Sequence, residues 1–255
     1  MIRDVLAPNP GPFTLYGTRT WLLGDALMID PGPAIERHVD ALLEAQPGVT
    51  HILITHRHAD HAPAALPVAA RTGARIFAPP GVLDDEHVHA RIGEGDEVEA
   101  GGVRLRTVAT PGHTAEHVCF LTGDRDLFSG DTILGEGTTA IFPPDGNMRD
   151  YLHSLERLRA LEPRRIYSAH GPVREDAVEW ISYYIEHRRE RERQIAAALE
   201  NGPAGVADLR RAIYPDLHPA LAQAAEGQLL AHLVHMADEG EVEWDGKVAR
   251  SRSDR

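Results

Sequence analysis

The chain has 255 residues, enough for one large domain or for one domain with a small appendage. Hydrophobic residues make up 42% and charged residues 25%, as in an ordinary globular protein, and no apolar run approaches the ~20 residues of a membrane helix. The formal net charge of −13 opposes non-specific attraction to a phosphate backbone but does not exclude a local basic groove.

Met1 to Pro12 shows no basic region followed by an apolar stretch, so no secretory leader is expected and the cytoplasm is the expected location. Thr20–Leu23 and Ala26–Ile29 flank Gly24-Asp25 and read as a hairpin. Residues 34–46 carry apolar side chains at helical spacing (Ile35, Val39, Leu42, Leu43), and Ile52-Leu53-Ile54 follows as a buried strand. A helix is expected over 62–72, with Pro63 in its first turn. Strands are expected near 74–78, 103–109, 117–122 and 126–129, an amphipathic helix over 149–161, and a last strand at Arg165–Ser168. Several strands follow one another directly. That order favours a layered α/β sandwich, sheets covered by helices, over a doubly wound fold.

The character changes after about residue 174. Residues 175–200 read as one long linking helix, whose charge run Glu186–Arg193 is expected to be a solvated face. Helices near 205–213 and 219–239 and a hairpin around Asp245-Gly246 then outline a small winged-helix-like domain over 201–255. The preceding 1–174 form a separate, larger domain on this reading.

Three imidazoles and one carboxylate lie within six residues in His56-Arg57-His58-Ala59-Asp60-His61, directly after a buried strand. Three further strands end in a ligand-type residue beside glycine: Gly112-His113, Gly130-Asp131 and His170-Gly171. Strand ends opening into loops can aim such side chains at one point. Neutral imidazoles and carboxylates suit zinc, although iron and manganese accept the same donors, and a carboxylate can bridge two cations. The single cysteine, Cys119, can form neither an internal disulfide nor a cysteine-based zinc site; within Val118–Leu121 it reads as a buried strand residue.

These residues resemble the full ligand set of the metallo-beta-lactamase superfamily over residues 1 to about 175. The resemblance implies a four-layered αβ/βα sandwich with a first metal on His56, His58 and His113, a second on Asp60, His61 and His170, and Asp131 bridging them. It implies two Zn(2+) per chain and a metal-bridging hydroxide as nucleophile, oriented by Asp60 as the catalytic residue. His58 stands where the diiron flavoproteins of the superfamily carry glutamate, which favours zinc. His117 follows the family pattern Gly-His-x-x-x-His and is read as a supporting residue; His51, His153, His232 and His235 are read as surface or core-filling. With Asn9-Pro10-Gly11-Pro12, Gly17-Thr18, Gly135–Thr139 and the winged-helix tail, the chain is similar to the beta-lactamase-like protein 2 subgroup.

The expected function is hydrolysis of a small ester or thioester. Cleavage of single-stranded RNA is the alternative, an iron-dependent oxidoreductase of the same fold a third reading, and a metal-free binding module a fourth. Many two-zinc beta-lactamases have cysteine where this chain has Asp131, and the tail lacks the basic helical domain of hydroxyacylglutathione hydrolases. Residues 201–255 hold six Lys or Arg against nine Asp or Glu, and 219–239 hold no Lys or Arg, which argues against a groove-reading helix. The tail is therefore expected to pack over the active site or to make a subunit contact in a homo-oligomer. Gly135–Thr139 reads equally as a wall of the substrate mouth or as a plain glycine-rich loop, and Arg19 is a candidate contact for an anionic substrate.

Overall fold

The structure is a computed structural model that describes residues 1–252. Two sheets face one another. The first has six strands in the order β1 (Ile2–Leu6), β2 (Arg19–Leu23), β3 (Leu27–Ile29), β4 (His51–Leu53), β5 (Arg75–Ala78) and β6 (Ala90–Arg91). The second runs β11 (Arg165–Ser168), β10 (Asp126–Gly130), β9 (Val118–Thr122), β8 (Val103–Ala109) and β7 (Glu97–Ala100).

The period-2 alternation of strand side chains decides which residues build which layer. Trp21, Leu23, Leu27, Ile29 and Leu53 of the first sheet meet Leu105, Val118, Phe120, Phe128 and Tyr167 of the second in one inter-sheet core. Their neighbours point outward. Leu22, Met28, Ile52 and Ile54 pack with residues of α1 (Glu36–Ala45) and α2 (Ala65–Thr72). Cys119, Leu121, Leu127 and Ile166 pack under α3 (Met148–Ala160) and α4 (Ala177–Leu199). Helix, sheet, sheet, helix is the four-layered order expected from the sequence.

Strand direction positions the site. β10 is parallel to β11 and antiparallel to β9, which is antiparallel to β8, so β8, β10 and β11 all point the same way. β3 and β4 are parallel in the other sheet. The loops leaving the C-terminal ends of β4, β8, β10 and β11 carry the histidines and aspartates singled out above.

After α4 come α5 (Val206–Ile213), α6 (Ala222–Asp238) and the hairpin of β12 (Val242–Trp244) with β13 (Ala249–Ser251), whose core is separate: Leu209, Leu229, Leu233, Met236, Val242 and Ala249 close over Ile195 and Leu199 at the end of α4.

Some expectations need correction. α2 starts at Ala65, so Pro67 rather than Pro63 sits in its first turn, where a missing N–H costs no helical bond. The short strands β1, β6 and β7 carried no legible pattern; β1 and β7 are half-exposed, with charged side chains on the open face. The charge run of α4 is not wholly solvated, because Arg188 is buried at 1% exposure. Its guanidinium lies 5.3 Å from the centre of the Tyr151 ring and donates to the Thr139 carbonyl.

Candidate metal centre

The seven residues picked from the sequence come together. His56, His58, His113 and Asp131 each offer one ligand atom within 4.8 Å of the others, as do Asp60, His61 and His170. Asp131 stands between the groups: Oδ2 is 3.6 Å from His113 Nε2, while Oδ1 is 3.2 Å from His170 Nε2 and 3.4 Å from His61 Nε2. Asp60 Oδ2 completes the second group at 3.3 Å from His170 Nε2 and 3.4 Å from His61 Nε2. In the first group, His58 Nδ1 and His113 Nε2 are 3.1 Å apart.

Two glycines make this approach possible. Gly112 has φ +136°, and a Cβ there would lie 2.3 Å from the Tyr151 Cα. Gly130 has φ +49°, and a Cβ there would come within 2.7 Å of both Thr55 Oγ1 and His117 Nε2. Any larger residue before Asp131 would hold the two sheet edges apart.

The ring atoms turned away from the cluster are tethered. His61 Nδ1 donates to Asp30 Oδ2 at 2.8 Å, His113 Nδ1 to the Ala140 carbonyl at 2.9 Å and His170 Nδ1 to the Gly17 carbonyl at 3.1 Å. Those bonds turn each Nδ1 proton away from the cluster, so that Nε2 faces inward and can offer its lone pair to a cation once any proton of its own is displaced. His56 Nε2, His61 Nε2 and Asp131 Oδ1 are buried and lack hydrogen-bond partners, a costly arrangement for atoms with no ion to satisfy them. The donor set therefore fits a pair of divalent cations.

Asp30, overlooked in the sequence, is a central support. Its buried carboxylate accepts from the Thr55 N–H at 2.8 Å and the Thr55 hydroxyl at 2.7 Å as well as from His61. The available signal was an aspartate at the end of a buried strand, but Asp30-Pro31-Gly32 looks like turn chemistry. His117 is buried, and its Nε2 accepts the Asp131 N–H at 3.2 Å, so it braces the backbone of Asp131. Thr139 Oγ1 donates to the Asp131 carbonyl at 2.8 Å. Thr18 Oγ1 donates to Asp60 Oδ2 at 2.9 Å and is itself held by Asn9 Nδ2 at 2.9 Å, which gives the Asn9 and Thr18 motifs a physical role.

The electrostatics divide the cluster. Burial holds the His56 imidazole far below its ordinary pKa, and the neighbouring His61 and His117 add to this; burial and the neighbouring His113 lower His58. Both remain neutral donors. Burial also disfavours charge on His61 and His170, yet the adjacent carboxylates outweigh it: His61 is raised well above normal by Asp131, Asp60 and Asp30, and His170 is raised to about 9, chiefly by Asp131. Burial pushes the Asp131 carboxyl up, but His170 and His61 together hold it well below the carboxylate range. Without metal, protons on the second group's histidines stand in for cations.

Other residues prove unsuited to the chemistry. Cys119 is buried in β9, and desolvation pushes its thiol up to about 12, so it is an inert core residue. Arg19 pairs with Asp4 and donates to the Gly171 carbonyl at 2.9 Å. His51 and His232 are buried, His235 is half-buried and His153 is exposed.

Beside the cluster lies a cleft of ≈ 330 Å³ reached by His113 and Asp131. Glu136–Ala140 form one wall and the tail forms the other through Tyr214, Leu217, Leu221 and α6. The glycine-rich loop thus lines the mouth, and the tail packs over it.

Residues 14–170 match the family model described as Metallo-beta-lactamase superfamily, and residues 206–253 match Beta-lactamase associated winged helix domain. The chain is 36% identical over 258 residues to Beta-lactamase-like protein 2 homolog of Caenorhabditis elegans, covering 95% of this chain and 86% of that protein. It is 32% identical over 204 residues to an Atrochrysone carboxyl ACP thioesterase of Cryptosporiopsis sp., covering 77% of this chain and 62% of that one. Among solved structures, a Beta-lactamase domain protein from Burkholderia ambifaria aligns with a TM-score of 0.83 at 23% identity, over 98% of this chain and 91% of that chain; at this identity the likeness speaks to fold alone.

Proposed function

The chain belongs to the metallo-beta-lactamase superfamily and is a metal-dependent hydrolase, and from that premise we propose that it holds two zinc ions and hydrolyses an ester or thioester. The observation that carries the reading is the split carboxylate of Asp131, with one oxygen facing His113 and the other facing His61 and His170. On this reading His56, His58 and His113 would hold one ion, Asp60, His61 and His170 would hold the other, and Asp131 would serve both. All donors are nitrogen or oxygen, as zinc, iron and manganese sites share; zinc is favoured by the histidine majority and by the closed tethering of the rings.

A pair of divalent ions held by these donors would supply a water that ionises near neutral pH and would polarise a carbonyl. The protein's part is orientation. Nδ1 tethers fix His61, His113 and His170; Thr18 and Asn9 fix Asp60, whose side chain is 25% exposed and within reach of solvent, so that it can align the attacking water. Hydrolysis joins the water oxygen to the acyl carbon, breaks the C–S or C–O bond and passes a proton to the departing thiol or alcohol. No serine or cysteine nucleophile is needed. The cleft beside Asp131 is lined by no Lys or Arg, which supports an acyl substrate over an RNA backbone.

The test is Asp131→Ala in the full chain. Elemental analysis should fall from two zinc ions per chain to fewer than one, and thioester turnover should drop at least ~10³-fold, as for removal of a group on which catalysis depends. A variant that keeps two metals and full activity refutes the assignment.

A further inference from the structure

The exposed apolar surface is unevenly placed. Phe13 at 58% exposure, Phe142 at 37% and Leu221 at 43% are three of the few large hydrophobic side chains open to solvent among the described residues, and all three line the cleft that begins at His113 and Asp131. Phe13 and Phe142 meet edge to face with centroids 6.1 Å apart. Beyond them a second hollow of ≈ 390 Å³ continues along α6 and shares Phe13, Phe142 and Ala224 with the first. Contiguous apolar surface of this kind, leading from a reaction centre, marks a binding surface more than a chance exposure.

Charge narrows the occupant. The ionisable residues lining the cleft are His113, Asp131, Glu136 and Tyr214, so the groove beyond the metal centre offers no cation to a phosphate or carboxylate. Glu136 is exposed at the mouth and would repel either. The nearby Arg57 is already paired with Glu116 and Asp145. An apolar, uncharged chain is what remains complementary.

We propose that this groove, floored by Phe13 and Phe142 and roofed by Leu217, Leu221 and Ala224 of the tail, binds an apolar acyl chain and so makes the winged-helix module the determinant of acyl length. The proposal rests on the hydrolase reading above. Gly227 supports the roof's close approach, since a Cβ there would lie 2.7 Å from the Phe142 ring. α6 is thus shaped around Phe142, and Gln228 Oε1 accepts the Ile141 N–H at 3.0 Å beside it. Such a groove selects by the part of the acyl group it buries.

The test uses the zinc-loaded full chain and uncharged S-acyl-N-acetylcysteamine thioesters from acetyl to decanoyl. kcat/KM should rise about two- to fourfold per methylene buried, until the groove is filled. Ala224→Trp, which fills the roof, and Leu221→Asp, which places a charge on an exposed rim position, should each lower the decanoyl-to-acetyl ratio of kcat/KM at least tenfold. The ratio is internal to each protein, so a partly folded preparation does not mimic the effect. A flat chain-length profile, or a ratio unchanged in both variants, overturns the groove while leaving the hydrolase reading standing. Failure to cleave any thioester by fully metallated protein overturns the reading beneath it; single-stranded RNA cleavage lost in Asp131→Ala would then name the replacement.

Discussion

Asp30→Asn isolates the support behind the second metal group. Asparagine keeps the volume, so no cavity opens. Its carbonyl can still accept from the Thr55 N–H, now 2.8 Å from Oδ1, and the Thr55 hydroxyl can turn to accept from the new amide. His61 has no such freedom. Its Nδ1 is 2.8 Å from the oxygen that becomes an NH₂ group, and to accept from that group it must move its own proton to Nε2. Nε2 is the atom 3.4 Å from both Asp60 and Asp131 and aimed into the cluster. The exchange loses one charge-assisted hydrogen bond, about 1.5–3 kcal/mol, and blocks one donor. Loss of such a supporting carboxylate typically costs about 10- to 100-fold in metal affinity, or about 1.4–2.8 kcal/mol. The two estimates agree in size. Competition with a chromophoric zinc chelator should therefore show one of two sites weakened by that factor and the other, on His56, His58 and His113, nearly unchanged. Two sites of wild-type affinity in Asp30→Asn would falsify the tautomer argument.

Metal uptake should release protons. In the metal-free chain His170 is raised to about 9 and so stays protonated at neutral pH; an ion must displace that proton, and affinity should weaken as pH falls below about 9, by up to ~tenfold per unit for one proton released. Calorimetry in buffers of different ionisation enthalpy measures the release, and a pH-independent affinity between 6 and ~8.5 would contradict it. Arg188→Met leaves the buried Thr139 carbonyl without its donor and should cost about 1–3 kcal/mol in denaturant unfolding, with a fall in kcat because Thr139 holds Asp131; Arg188→Lys should recover part of both. Cys119, with its thiol pushed up to about 12, should resist iodoacetamide in the folded protein at pH 8, with activity retained; rapid labelling with loss of turnover would show the strand to be open.

Much of the fold was legible because its strands are short, apolar and bounded by Gly, Pro or Asp. The hairpin pairing Leu23 with Leu27, the strand Arg165–Ser168 and the tail hairpin around Asp245-Gly246 lie where the pattern placed them. β1 and β7 were not legible, since an edge strand satisfies only one side and its exposed face carries ordinary surface residues. Arg188 misled because a burying contact with Tyr151 and Thr139 leaves no trace in a run of alternating charges.

The local sequence by itself determined the donors: imidazoles and carboxylates at strand ends, with glycine beside them, are chemistry that a short window can display. Which oxygen of Asp131 faces which histidine, and that Asp30 holds His61 from 31 positions away, were decided only when two sheets closed face to face. The groove proposed for an acyl chain is a further step removed, because its floor comes from Phe13 and Phe142 and its roof from residues beyond 210. Hydrogen-bond direction and cleft shape depend on distances between segments remote in the chain, and packing alone sets those distances.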